Sequence, residues 1–181
     1  VYSRAAAVEE ARQPLLQAAQ RFLGKELPPE TRFFLISGRY EFHNKGIDVF
    51  LKSLRLLEDE LAAHGDFPPV VAWFTLLAGH HGIAESVHKR MVQGQPDASP
   101  PGLSTHVLAD EHRDPIVQEC YRLNLRNTPA NRVNVIFCPA NLNGHDGLFN
   151  QPYYKILSAA DAGIFPSFYE PWGYTPQESL A

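Results

Sequence analysis

The chain has 181 residues, of which 44% are hydrophobic and 20% are charged, and its formal net charge at pH 7 is −4. These values are typical of one globular domain with a single core. The negative charge argues against a nucleic-acid-binding surface, and no apolar run reaches the roughly 18 residues that a membrane-spanning helix needs. The two cysteines do not suggest a disulfide framework, so we expect a reduced, cytoplasmic protein.

The first part of the chain alternates between helical and strand patterns. Apolar residues at helical spacing predict a helix over residues 3–23, with a kink or a restart at Pro14. The continuous apolar run 32–37 predicts a strand covered on both faces. A polar loop follows at 38–46, and helical spacing returns over 47–63.

The middle of the chain continues this alternation. Residues 70–77 predict a strand, 79–82 a turn and 84–93 a helix. Residues 94–104 are rich in Pro, Gly and Ser, which predicts a mobile loop without regular structure. Residues 114–125 then predict another helix.

The last part of the chain predicts a strand over 133–138, a polar turn over 141–147, a helix over 152–160 and a strand over 162–165. The repeated order of strand and helix favours an α/β fold with a doubly wound, parallel sheet. In such a sheet, right-handed crossovers bring all strand carboxyl ends to one edge, where ligands bind.

Charged residues follow the first and the last predicted strands. Arg39 and Lys45 come after one and Glu170 after the other, so we expect them to converge at that edge. A helix then begins, with Thr175 as a candidate N-cap and Glu178 closing a capping box. Helix starts favour phosphates, and two nearby carboxylates suit a phosphate that carries a sugar, because hydroxyl groups need acceptors.

Two strings of residues are similar to those of one enzyme family. Residues 165–178 read Phe-Pro-Ser-Phe-Tyr-Glu-Pro-Trp-Gly-Tyr-Thr-Pro-Gln-Glu, and residues 38–46 read Gly-Arg-Tyr-Glu-Phe-His-Asn-Lys-Gly. Glu170 and Glu178 form the E-x7-E pair of many retaining glycosyltransferases. Together the strings resemble the glycogen synthase family of fungi and animals, which has bacterial members, and we expect a bacterial protein.

The resemblance implies a Rossmann-like fold, the carboxyl-terminal half of a GT-B glycosyltransferase. The implied reaction is retaining transfer of glucose from UDP-glucose to the non-reducing end of an α-1,4-glucan. Because Ala181 lies inside a helix that has only begun, we expect residues 1–181 to be one incomplete donor-binding domain. Without an amino-terminal domain of the same protein, we expect it to bind the sugar nucleotide without turnover.

The resemblance also assigns roles to individual residues. Glu170 would lie against the donor glucose and stabilise its oxocarbenium-like state. Arg39 and Lys45 would bind the diphosphate and neutralise the leaving UDP, so neither a metal ion nor another cofactor is expected. Tyr153 would stack on the uracil, and Glu178 would accept hydrogen bonds from the ribose.

The turn between the two glutamates would supply further donor contacts. By resemblance, the backbone of Trp172 and Gly173 would face the sugar hydroxyls, and Tyr174 and Thr175 would face the diphosphate. Core packing is the alternative role for Trp172, Tyr174 and Tyr153. For the charged residues, the alternative is a solvated loop with ordinary ion pairs.

The histidines do not predict a metal site. His80 and His81 are adjacent, and His106 and His112 are six positions apart, so neither pair has the i, i+4 spacing of a zinc site. We expect these residues to lie at the surface. The sequence assigns no role to His145.

Two other functions stay open on the sequence. One is a retaining glycosyltransferase that uses ADP-glucose or another acceptor. His43 stands where Arg or Lys is more usual in the family, and residues 149–155 depart from the fungal and animal pattern, which leaves the donor nucleobase open. The other is a non-catalytic module that binds sugar nucleotides or glucans. Glu170 and Lys45 favour the enzyme, and the sequence does not define an oligomeric state.

Overall fold

A computed structural model describes residues 4–94, 99–170 and 173–180 of the chain. In chain order, its strands are β1 (Arg32–Gly38), β2 (Val70–Leu76), β3 (His80–Ile83), β4 (His106–Leu108), β5 (Val133–Cys138) and β6 (Ala162–Gly163). Its helices are α1 (Arg4–Leu23), α2 (Ile47–Ala63), α3 (Glu85–Val87), α4 (Pro115–Arg122), α5 (Tyr153–Ala159) and α6 (Tyr174–Leu180). Every helix and strand that the sequence predicts is present, although several boundaries differ.

The centre of the fold is a parallel sheet with the strand order β5-β2-β1-β6. β1 pairs with β2 from Arg32 beside Val70 to Gly38 beside Leu76. β2 pairs with β5, and β6 pairs with the other side of β1. Helices lie on both faces, so the predicted Rossmann-like, doubly wound α/β fold is confirmed.

Successive residues of a strand point to opposite sides of the sheet. Because the strands are apolar at successive positions, both faces of the sheet are apolar. On one face, Leu35 and Trp73 belong to a buried cluster that includes residues of α1 and α5. On the other face, Ile36 and Phe74 belong to a cluster that includes residues of α2 and α4. All residues of β5 are buried, as a strand covered on both faces requires.

The direction of the winding changes beside β1. The chain passes from β1 through β2 to β5 in one direction, and α5 then returns it to β6 on the far side of β1. The strand order therefore reverses between β1 and β6. In open α/β sheets, ligands bind beyond the strand carboxyl ends at such a switch point, which is where the loops after β1 and β6 lie.

Side-chain bonds hold the start of β6, which ends at Gly163 rather than extending over the predicted 162–165. Asp161 accepts a hydrogen bond from the Phe33 N–H at 2.7 Å and pairs with Arg12 and Arg32 at 3.1 and 2.9 Å. Burial would raise the pKa of Asp161, but these donors outweigh it and hold that pKa below its ordinary value. The ionised carboxylate therefore fixes β6 beside β1.

The turn predicted at residues 79–82 is wrong, because this segment enters a second, two-stranded sheet. β3 pairs antiparallel with β4, which places His80 beside Leu108 and Ile83 beside His106. The partner strand lies more than twenty residues further along the chain. Local sequence patterns carry no information about such a distant pairing.

Two predicted helices differ in detail from the observed ones. α1 runs without interruption through Pro14, so the helix does not restart there. The helix predicted over 84–93 consists of α3 followed by a π-helical turn at His88–Val92. None of the helices among the described residues is both long and apolar enough to cross a bilayer.

The proline-rich segment 94–104 forms neither helix nor strand where it is described. Residues 95–98 lie outside the described residues, and Gly94 and residues 99–103 are irregular. Leu103 is nevertheless buried in the core, and Ser104 forms a bridge to Phe137 at the edge of β5. The carboxyl end of the segment is therefore packed, and its predicted mobility stays a prediction.

Candidate functional site

The loops after β1 and β6 are in direct backbone contact. The Phe168 N–H donates a hydrogen bond to the Asn44 carbonyl at 2.9 Å. Gly46 has a φ of 64°, and a Cβ at this position would lie 2.8 Å from the carbonyl carbon of Pro166. Glycine is needed here both for the left-handed conformation and for the close approach of the two loops.

An ion pair joins the same two loops. The Lys45 Nζ donates to the Oε2 of Glu170, and the Ser167 hydroxyl donates to the same oxygen at 3.2 Å. Lys45 is buried, and the Glu170 side chain keeps a quarter of its surface exposed. The Lys45 ammonium lowers the pKa of Glu170. The carboxylate is therefore ionised at neutral pH and still reachable from solvent.

Arg39 lies at the rim of this site. Its guanidinium pairs with Glu41 at 2.6 Å and is 71% exposed. Its positive charge is a further cause of the lowered pKa of Glu170. The structure thus brings Arg39 and Lys45 of the loop after β1 to the switch point together with Glu170 from a distant part of the sequence.

A cavity of about 230 Å³ lies at the carboxyl ends of β1, β2 and β5. Its lining residues come from the strand ends, the segment after β5, α5 and α6, and they are Ser37, Gly38, Thr75, Leu77, Ala140, Asn141, Leu142, Tyr153, Thr175 and Glu178. Three residues with predicted donor contacts, Tyr153, Thr175 and Glu178, therefore line one open cleft. The lining combines aliphatic surface with a few polar groups, as small-molecule sites do.

Tyr153 is half-buried at one wall of the cavity. Its hydroxyl shares a hydrogen bond of 2.6 Å with the Ser37 hydroxyl. Burial raises the pKa of Tyr153, so the phenol stays protonated at neutral pH. Its ring meets the ring of Tyr154 edge-on, with 5.4 Å between the centroids.

The predicted capping box at the start of α6 is wrong. α6 begins at Tyr174, where the Gly173 carbonyl accepts a hydrogen bond from the Gln177 N–H at 3.1 Å. Thr175 is therefore inside the helix rather than its N-cap. Gly173 has a φ of 59°, which lets the chain enter the helix at this earlier point. The Glu178 carboxylate instead accepts a hydrogen bond from the Tyr154 hydroxyl at 3.1 Å.

The turn before α6 is only partly described. Trp172 lies outside the described residues. Gly173 lies close to Glu170, because a Cβ added to it would be 3.4 Å from the Glu170 Cγ. Tyr174 is 69% exposed, so the alternative of core packing is wrong for this residue.

Comparison with known proteins identifies the family of the chain. The family model described as glycogen synthase matches residues 24–84 and 83–181. The chain belongs to the glycogen synthase family. It is 32% identical to the liver glycogen [starch] synthase of Mus musculus, over 82% of this chain and 28% of that protein.

Fungal relatives show the same coverage. The chain is 28% identical to the glycogen [starch] synthase of Neurospora crassa and 27% identical to glycogen [starch] synthase isoform 2 of Saccharomyces cerevisiae. The matches cover 83% and 82% of this chain but 29% of each relative. The chain thus spans less than a third of the length of these glycogen synthases.

A partly buried hydrogen bond anchors the loop after β1, which carries Arg39 and Lys45, to α4 of this glycogen synthase family member. The Tyr40 hydroxyl donates to the Asp114 carboxylate at 2.8 Å, and Asp114 also caps α4 by accepting from the Ile116 and Val117 N–H groups at 3.0 Å each. The Tyr40 ring packs edge-on against Phe137 at 5.6 Å. Sequence reasoning missed this bond, because Tyr40 and Asp114 lie far apart in the chain.

Tyr40→Phe should reduce the free energy of unfolding by about 1–3 kcal/mol, because it leaves a buried carboxylate oxygen without its donor. Urea unfolding of the 181-residue chain measures this change. Tyr121→Phe is the control, since Tyr121 is an exposed residue of the same helix, α4. This variant should change the free energy of unfolding by no more than about 0.5 kcal/mol. Equal stability of the two variants would show that the bond does not hold the loop.

The histidines form no metal site among the described residues, where no group of three or more His, Cys, Asp or Glu side chains is suitably placed. The expectation of surface positions is wrong for His106, which is 5% exposed. Its ring lies 4.4 Å from that of His80. Burial, together with the neighbouring His80, lowers the pKa of His106 to about 4. His106 is therefore a neutral part of the β3–β4 packing.

The turn after β5 carries His145 and Asp146. His145 is exposed, and Asp146 accepts hydrogen bonds from the Leu148 and Phe149 N–H groups at 2.9 and 2.7 Å, which closes the turn after β5. Both cysteines are buried and unpaired. Burial raises the pKa of Cys138 to about 11, so its thiol is unreactive at neutral pH.

Proposed function

We propose that this chain forms the donor-binding part of a retaining glycosyltransferase. The enzyme would transfer glucose from UDP-glucose to the non-reducing end of an α-1,4-glucan. The observation that carries the proposal is the Lys45–Glu170 ion pair at the switch point, where a cation for a phosphate and a carboxylate for a sugar meet. Membership of the glycogen synthase family supports the same reaction.

The two charges suit the two ends of the bond that breaks. When the bond between the glucose C1 and the diphosphate oxygen breaks, its electron pair leaves with the UDP. Lys45 and Arg39 would stabilise that negative charge, as cations placed on a leaving phosphate do. The ionised Glu170 would stabilise the positive charge on the sugar ring. Because protein cations neutralise the leaving group, we propose that the reaction uses no metal ion.

The acceptor hydroxyl completes the reaction. Its oxygen forms the new bond to C1 on the face that the UDP leaves, which retains the configuration, and its proton passes to the departing diphosphate. No residue of this chain is needed as a separate base in that scheme. The acceptor glucan and the remaining catalytic groups would be held by the rest of a synthase, since the relatives are more than three times as long as their matched segments.

The cavity at the carboxyl ends of β1, β2 and β5 suits one part of the donor. Its volume of about 230 Å³ is below the roughly 300–1,000 Å³ typical of sites for whole ligands. We propose that the nucleoside enters it, with the base against Tyr153 and the ribose hydroxyls near Glu178. The diphosphate and glucose would then extend toward Lys45 and Glu170. Unpaired, buried thiols suit the cytoplasmic location that we propose for this protein.

Calorimetry on the 181-residue chain tests the donor site. We expect weak binding of UDP-glucose, and Lys45→Met should weaken it by about tenfold, because a charge-assisted contact to the phosphate is lost. Lys52→Met is the matched control, since Lys52 is an exposed lysine of α2, and it should leave the affinity unchanged.

Two results would contradict the proposed donor site. Equal affinity of the Lys45→Met variant and the unmodified chain for UDP-glucose would show that Lys45 makes no contact with the phosphate. Tighter binding of ADP-glucose than of UDP-glucose would instead assign the chain to a synthase with the other donor.

A further inference from the structure

Two aromatic side chains immediately before Glu170 stand in solvent. Phe168 is 75% exposed and Tyr169 is 68% exposed. Neither ring makes an aromatic or cation–π contact within the described part of the chain. Single exposed apolar residues are common on protein surfaces, but adjacent large apolar groups that are exposed together mark interaction sites.

Their exposure does not result from a loosely held loop. The Phe168 N–H is bonded to the Asn44 carbonyl at 2.9 Å, and Pro166 packs against Gly46. On the other side, Glu170 is paired with the buried Lys45. The backbone is thus fixed before, at and after the two rings, and it presents them to solvent in a defined place.

The two rings lie outside the cavity that we assign to the nucleoside. Neither Phe168 nor Tyr169 lines the cavity that contains Tyr153 and Glu178. They are instead one and two residues from the carboxylate that would face the reacting glucose. A group that stacks on them would therefore lie near the atoms between which glucose is transferred.

We propose that Phe168 and Tyr169 form a stacking platform for a glucose unit of the acceptor glucan. This inference rests on the proposed function. A glucopyranose ring has apolar faces of C–H groups, which pack on aromatic rings, and hydroxyls around its edge, which need polar partners. Tyr169 supplies both a ring face and a hydroxyl, and aromatic side chains lose little conformational freedom when they bind.

Steady-state kinetics of a complete synthase that carries this chain test the platform. Phe168→Ala combined with Tyr169→Ala should raise the KM for glycogen by about tenfold or more, while the KM for UDP-glucose and kcat at saturating glycogen stay within about twofold. Tyr169→Phe keeps the ring and should retain most of the affinity. Phe168→Leu keeps apolar bulk without a ring and should not.

Phe67→Ala is the matched control, because Phe67 is 61% exposed and precedes β2 at the opposite edge of the sheet. It should leave all three kinetic constants unchanged. A thermal unfolding curve for each variant shows that it is folded at the assay temperature.

Three outcomes would overturn the platform. They are an unchanged KM for glycogen, a fall in kcat without a change in that KM, and full affinity in Phe168→Leu. If the double variant leaves the KM for glycogen unchanged but lowers the unfolding temperature of the complete synthase, another part of the protein covers the two rings. Failure of the proposed function is distinguishable, because it appears as wild-type transfer when Glu170 is replaced.

Discussion

Glu170→Gln should lower the rate of glucose transfer by a complete glycogen synthase that carries this chain by about 10²–10³-fold or more. The substitution keeps the size of the side chain and its place beside Ser167, but it removes the negative charge that would face the developing cation. Lys45 stays available for the diphosphate. The affinity for UDP should therefore change by less than about threefold, and the effect should appear in kcat.

Glu119→Gln is the control for Glu170→Gln, because Glu119 forms an ion pair with Arg122 on the surface of α4. Its transfer rate should equal that of the unmodified enzyme. Wild-type turnover of Glu170→Gln would end the proposed role of this carboxylate. If Glu170→Gln instead weakens nucleotide binding but leaves the turnover of bound donor unchanged, the chain is a non-catalytic binding module.

Gly46→Ala should reduce the free energy of unfolding of the 181-residue chain by about 2–5 kcal/mol. Part of the loss comes from the left-handed conformation, with a φ of 64° that L-residues adopt at a cost. The rest arises because the new Cβ would overlap the backbone of Pro166, which must move away. Urea unfolding measures the total, and UDP-glucose binding should weaken with it, because the Lys45–Glu170 pair spans the same contact.

Gly94→Ala separates the two contributions. Gly94 has nearly the same φ, 65°, but no heavy atom of the described residues lies within 4 Å of an added Cβ. Only the conformational cost of about 1–2 kcal/mol should appear there. Equal losses in the two variants would mean that the contact between the loops after β1 and β6 tolerates a methyl group.

Much of the fold could be predicted because its main signals are local. The apolar run that forms β1 and the helical spacing of α2 were located to within a residue of the observed Arg32–Gly38 and Ile47–Ala63. The meeting of Lys45 and Glu170 followed from a topological rule, since parallel strands place their following loops at one edge. The nature of that meeting, an ion pair with Ser167 as a third partner, depends on side-chain positions that no local pattern determines.

Other features lacked any signal in the sequence. The pairing of β3 with β4 and the bond from Tyr40 to Asp114 join segments that are distant in the chain, and neither residue type nor spacing marks them. The start of α6 was misplaced because Thr175 and Glu178 fit a capping box, whereas Gly173 allowed an earlier start. The Glu178 carboxylate instead accepts a hydrogen bond from the Tyr154 hydroxyl, a contact that no local pattern marks.

Trp73 gives this fold a spectroscopic reporter. It is fully buried in β2, with its ring edge-on to Phe149 at 4.9 Å, and the sequence contains one other tryptophan, Trp172. In a Trp172→Phe background, the remaining indole would emit from a dry environment, so a red shift of its fluorescence would follow the entry of water between the sheet and its helical layer. The interior of the domain can thus be observed optically without attaching a dye.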